Sequence, residues 1–126
     1  MASLIQVAGK NAMLEHLKGL ATYIALYTDA GGTTEVSGGS PAYARKAITW
    51  GTASGGALAT GAQIVFDVPA GTTVRAIGIC SALTGGTQYA VDEPSTVETW
   101  AGQGTCTIAS GTGFVVTLTS FAIGRF

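Results

Sequence analysis

Between Glu35 and Gly56 the chain reads EVSGGSPAYARKAITWGTASGG. A strand-forming run, YARKAITW at 43–50, is held between two Gly-Gly pairs. Glycine supplies the positive φ angles of tight turns, so the pairs mark places where the chain reverses at each end of a strand. A phosphate-cradling loop would need its glycines to feed a helix carrying Lys and Ser or Thr at set spacing, and here they lead into strands. Successive strand residues point to opposite faces. Tyr43, Arg45, Ala47 and Thr49 therefore share one face, and Ala44, Lys46, Ile48 and Trp50 the other.

The same grammar extends outward. TYIALYT (22–28) is apolar on both faces, which predicts a central strand. QIVFDV (63–68) sets Ile64, Phe66 and Val68 on one side against Val65 and Asp67. TTVRAIGICSAL (72–83) sets Val74, Ala76, Gly78 and Cys80 against Arg75, Ile77 and Ile79. GTCTIAS (104–110) and FVVTLTSFAI (114–123) are further runs rich in Thr and branched residues. The joints are AGGTT, SGGS, SGGA, PAGTT and TGGT. Short strands at this spacing predict a mainly β fold, a β-sandwich or jelly-roll-like single domain spanning 1–126. One helix interrupts the pattern. GKNAMLEHLKGL (9–20) places Met13, Leu14, Leu17 and Leu20 at helical spacing, with Asn11 as cap, Gly19 near the end and Glu15 three residues before Lys18.

Composition bounds the function. The chain of 126 residues is 47% hydrophobic and 10% charged, against about 25% charged in ordinary globular domains. Such sparse charge points to a surface partly covered by neighbouring subunits; a monomer coated with Thr and Ser is the alternative. The net charge of −1 provides no electrostatic footprint for nucleic acid. MASLIQVAG lacks the charged start and apolar core of a secretion signal, and no run approaches the length of a membrane helix. Residence in a reducing cytoplasm until release is expected. Cys80 and Cys106 match no metal or redox spacing. They read as small core residues, with a cross-strand disulfide after release as the other option.

No catalytic set emerges. His16 lies within the helix, at the edge of its stripe, and no serine sits in a nucleophile-elbow pattern. The carboxylates Glu15, Asp29, Glu35, Asp67, Asp92, Glu93 and Glu98 offer no selected pair, and VDEPSTVE (91–98) reads as a surface turn instead of a calcium loop. Trp50, Trp100, Tyr23, Tyr27, Tyr43 and Tyr89 fill or roof a core, with a carbohydrate platform or an interface as the alternative. No enzyme activity, metal or cofactor is expected.

Three segments carry a family resemblance: EVSGG…YAR at 35–45, FDVPAGTTV at 66–74 and SALTGG at 81–86. Over residues 9–91 the chain resembles small virion proteins of tailed bacteriophages and prophages of actinobacteria and their relatives, labelled tail-fibre or minor tail proteins. It departs from that pattern at IGICSAL, which lacks an aromatic near Cys80. The resemblance implies a non-enzymatic structural protein of a phage particle, assembled in the host bacterial cytoplasm. It implies as partners other virion proteins, of the tail or the major capsid protein, and brings no catalytic residues. A tail or fibre component is the first reading. A head-decoration protein on the capsid lattice is the second, and a carbohydrate-binding module the third. A homo-oligomer is expected, a trimer first. Within it, Tyr43 and Arg45 are the candidate interface residues, because both types are enriched at interfaces and Arg can fork onto a neighbour's carboxylate or carbonyls; an ordinary strand whose Arg45 and Lys46 are solvated is the alternative.

Overall fold

Runs of branched and aromatic residues become strands where glycine lets the chain turn back. The computed structural model describes residues 5–117. One helix, α1 (Val7–Leu20), precedes β1 (Tyr23–Tyr27), β2 (Lys46–Ala47), β3 (Ala57–Ala59), β4 (Ile64–Val68) and β5 (Thr72–Val74). Then follow β6 (Ala76–Cys80), β7 (Gln88–Asp92), β8 (Glu98–Trp100), β9 (Gly104–Ile108) and β10 (Val115–Thr117). The fold is mainly β with a single short N-terminal helix among the described residues, as the patterning predicts.

All the strand pairs are antiparallel. A four-stranded sheet runs in the order β2-β1-β6-β7, and three two-stranded ladders join β3 to β10, β4 to β9 and β5 to β8. One face of the large sheet contributes Ile24, Leu26 and Ile79 to the main core. Opposite them stand Ile64, Phe66 and Val68 of β4 and Ile108 of β9. The packing is that of a sandwich whose second layer is divided into short ladders. β1 lies between two neighbours, and its second face is also buried, with Ala25 and Tyr27 packed beside Ala76 and Cys80. Gly78 makes this possible, because a Cβ there would stand 2.8 Å from the Tyr27 ring.

Each of the five predicted glycine joints contains a glycine at positive φ. Other expectations need correction. The 43–50 run is not one continuous strand. Only Lys46–Ala47 pairs with β1, and the two-fold alternation breaks where Arg45 and Lys46 are both half-buried. In α1 only Leu14 is fully buried and Leu17 half-buried, while Met13 and Leu20 are 47% and 38% exposed. Asn11 does not cap the helix, which begins four residues earlier behind Gln6. His16 is exposed and not at the edge of a packed stripe.

VDEPSTVE is only in part a turn, since its ends belong to β7 and β8. β3 and the bulk of β7 lie in stretches without strong alternation and are set by pairing to distant partners. Of FVVTLTSFAI, Val115–Thr117 forms β10, and positions 118–123 lie outside the described residues. Both cysteines are free, Cys80 buried and Cys106 half-buried.

Candidate functional site

The sheet edge at β1 creates a problem that Tyr43 resolves. β2 pairs only with Tyr23 and Ile24, so the ladder stops before the Leu26 N–H. That N–H donates to the Tyr43 hydroxyl at 2.9 Å, and the Leu26 carbonyl accepts from the Val36 N–H at 3.0 Å. The Tyr43 hydroxyl in turn donates to Glu35 Oε2 at 2.8 Å. Its ring stacks on Phe66, with centroids 6.0 Å apart and planes 15° from parallel.

Arg45 completes the arrangement. Nε donates to Glu35 Oε2 and Nη2 to Oε1, each at 3.0 Å, the two-pronged geometry that matches guanidinium to carboxylate. Nη1 donates to the carbonyls of Ala82 and Gly85, both at 2.8 Å. Those carbonyls converge because the turn between β6 and β7 runs through Gly85 and Gly86 at φ of 63° and 72°. A Cβ at Gly86 would also stand 2.5 Å from Ser81 Oγ, the atom that accepts the Thr87 N–H.

The electrostatics hold these groups in one protonation state. Its hydrogen bond to the Glu35 carboxylate raises the Arg45 guanidinium above its ordinary value. Burial, and then the nearby Glu35, push the Tyr43 phenol well up. Tyr27, on the same sheet, is pushed up to about 12, by burial first and its contact with Cys80 second. At neutral pH the guanidinium is charged and the phenol neutral.

Beside the network lies an open groove of about 350 Å³, walled by the 35–38 segment, residues 43–45 and the 83–85 turn. Leu83 stands 51% exposed on its rim. A second open recess of about 380 Å³ borders β8 and β9. Trp100 lines it and donates to the Thr105 carbonyl at 3.2 Å. Burial pushes the Cys106 thiol up there. Trp50 donates to the Ala21 carbonyl at 2.8 Å and packs on the core. Among the described residues, no group of three His, Cys, Asp or Glu side chains could hold a metal.

The structure brings Tyr43 and Arg45 together, although alternation alone would also have done so. The carboxylate and carbonyls expected of a neighbour are supplied by Glu35, Ala82 and Gly85 of the same chain. Sequence reasoning noted Glu35 only as one acid among several. The signal for it lay in the segment EVSGG…YAR, whose Glu and Arg are the two ends of the ion pair. The other two resembling segments arrive at the same place: FDVPAGTTV brings Phe66 under Tyr43, and SALTGG brings the carbonyls to Arg45.

Fold and site together define a β-sandwich structural module, in which the groups with the most chemistry tie strand edges and turns. Residues 9–115 match the family model of the Podophage GP4 fiber I protein gp80, and the chain belongs to that phage fibre family. The family is a virion one, so the phage resemblance of the sequence holds at this level. The match is to a podophage fibre and not to the minor tail proteins of actinobacteriophages. No curated protein and no solved structure matches the chain. No helix among the described residues is long and apolar enough to cross a membrane.

Proposed function

We propose that the chain is a non-enzymatic structural module of a tail fibre, a single domain that joins other virion proteins and copies of itself, a trimer first. The family match over residues 9–115 carries this reading. The network described above supports it, because its donors and acceptors serve the chain's own turns. Tyr43 and Arg45 act in assembly by shaping a rim. They hold the 83–85 turn in place, and that turn offers Leu83 and the groove beside it to a neighbour. Assembly takes place in the host cytoplasm before the particle is released.

Imaging tests the placement. Gold-labelled antibody against the protein should decorate purified particles at the tail fibres, in few copies. Label spread over the head in hundreds of copies would overturn the fibre reading in favour of capsid decoration.

A further inference from the structure

A surface helix is ordinarily held down by its apolar stripe. α1 has little of one to use. Leu14 is its only buried residue, and it meets Ala53 and Leu58 in a small cluster beside the main core, with half-buried Leu17 touching both. The other fastening is a tight turn. Ser54 and Ala57 exchange backbone hydrogen bonds at 2.9 and 3.0 Å, which closes the turn. The N–H groups of Ala53 and Gly56 donate outside it. Ala53 donates to Glu15 Oε2 at 2.7 Å and Gly56 to Asn11 Oδ1 at 2.9 Å. Asn11 and Glu15 stand at i and i+4, so one helix face presents both acceptors.

The two acceptors respond differently to acid. The Asn11 amide stays neutral, while the Glu15 carboxylate takes up a proton. Its hydrogen bond from Ala53, and after it that from Lys18, hold the Glu15 carboxyl below its usual value of 4.5. Lys18 Nζ lies 3.0 Å from Oε1 and 3.3 Å from Oε2. Residues 51–60, which carry the turn and β3, contain no Asp, Glu, Lys, Arg or His, and neither does β10 behind them. Of the helix's other ionisable groups, Lys10 lays its stem on Gly56 and His16 is exposed. Among the described residues, Lys18 is thus the ion-pair partner of Glu15.

We infer that α1 is an acid-released clasp: when Glu15 takes up a proton, the helix lifts from the 53–57 turn as a unit while the β-sandwich stays folded. A neutral carboxyl no longer attracts Lys18 and is a poorer acceptor for the Ala53 N–H. A carboxyl lowered by folding stabilises the closed helix above its released value of about 4.5, and the contribution is lost as pH falls through the lower folded value. An element with few buried apolar contacts opens at a lower free energy than the whole fold, and α1 has one fully buried side chain. The opening has a defined end. Trp50 Nε1 holds the Ala21 carbonyl at 2.8 Å, and Thr22 is already tied into the sheet through Cys80 and Ile48. Release uncovers Leu58 of β3, which is fully buried in the closed state. The inference goes beyond the fibre reading and does not depend on it.

Hydrogen exchange of the full chain tests this, followed by mass spectrometry from about pH 7 to about pH 3 and corrected for intrinsic rates, with Glu15→Gln and Asn11→Ala alongside. In wild type the α1 amides should lose protection as pH falls below about 4.5, while β1 and β6 keep theirs. In Glu15→Gln the side chain still accepts from Ala53 but has nothing to titrate. Its α1 protection should start lower than wild type and stay level over that window. Asn11→Ala should lower α1 protection at every pH and keep the wild-type slope, since Glu15 still titrates there. Protection in α1 that ignores pH, a Glu15→Gln protein that follows the wild-type curve, or simultaneous loss in β1 and β6 overturns the inference. None of these outcomes alters where antibody label falls on the particle, so the fibre reading stands or falls separately.

Discussion

Replacing Arg45 by alanine removes four hydrogen bonds, two to the Glu35 carboxylate and two to the carbonyls of Ala82 and Gly85. The Arg45 side chain is 11% exposed and Glu35 29%, so water reaches the carboxylate and replaces part of what it loses. The ion pair therefore contributes about 1 kcal/mol, nearer the value of a surface pair than the 3–5 kcal/mol lost on breaking a fully buried one. The two carbonyl contacts add about 1 kcal/mol in total after solvent takes over some of their bonding. The expected loss is about 2 kcal/mol. With an unfolding entropy of about 2.1 cal/mol/K per residue, it lowers Tm by roughly 8 °C in a chain of 126 residues. Urea denaturation of wild type, Arg45→Ala, Glu35→Ala and the double variant measures both the loss and its origin. The cycle should return a coupling of about 1 kcal/mol. Arg45→Lys should recover less than half the loss, because one ammonium cannot span the carboxylate and both carbonyls. An Arg45→Ala protein within about 0.5 kcal/mol of wild type, or strict additivity in the cycle, would refute the reasoning.

Two further outcomes follow from the same geometry. Tyr43→Phe keeps the ring on Phe66 but leaves the Leu26 N–H without its acceptor, so stability should fall by about 1–3 kcal/mol. Amide exchange at Leu26 should accelerate in that variant, and unchanged exchange would count against the edge-capping role. The Thr33 hydroxyl, and after it the Thr34 N–H, hold the Asp29 carboxyl below its usual range. A carboxyl lowered by folding stabilises the protein above its unfolded value of about 3.9, and the contribution is lost as pH falls through the lower folded value. Unfolding curves should show wild type ahead of Asp29→Asn near neutral pH, with the gap closing in that acid window.

Much of the fold was legible because its causes are local. Ile64, Phe66 and Val68 alternate with Val65 and Asp67, and β4 buries those three. TYIALYT is apolar on both faces, and β1 is central. The glycine pairs announced their turns because positive φ is a property of the residue itself. The helix was legible as a helix, but its orientation was not. Met13, Leu14, Leu17 and Leu20 read as one stripe, yet Met13 and Leu20 lie toward the exposed arc. Which arc turns inward depends on what it meets. α1 meets the backbone N–H groups of Ala53 and Gly56, which donate to Glu15 and Asn11 and so fix the helix by its polar side chains.

The site divides along the same line. Residue type and spacing were enough to single out Tyr43 and Arg45 as a pair whose functional groups need partners. They could not say whose partners those are, since a carboxylate or carbonyl looks the same to a guanidinium in either chain. The carbonyls of Ala82 and Gly85 lie 37 and 40 residues from Arg45 along the chain. Only the pairing of β1 with β6, which carries the β6–β7 turn back over the 43–45 segment, places them within reach.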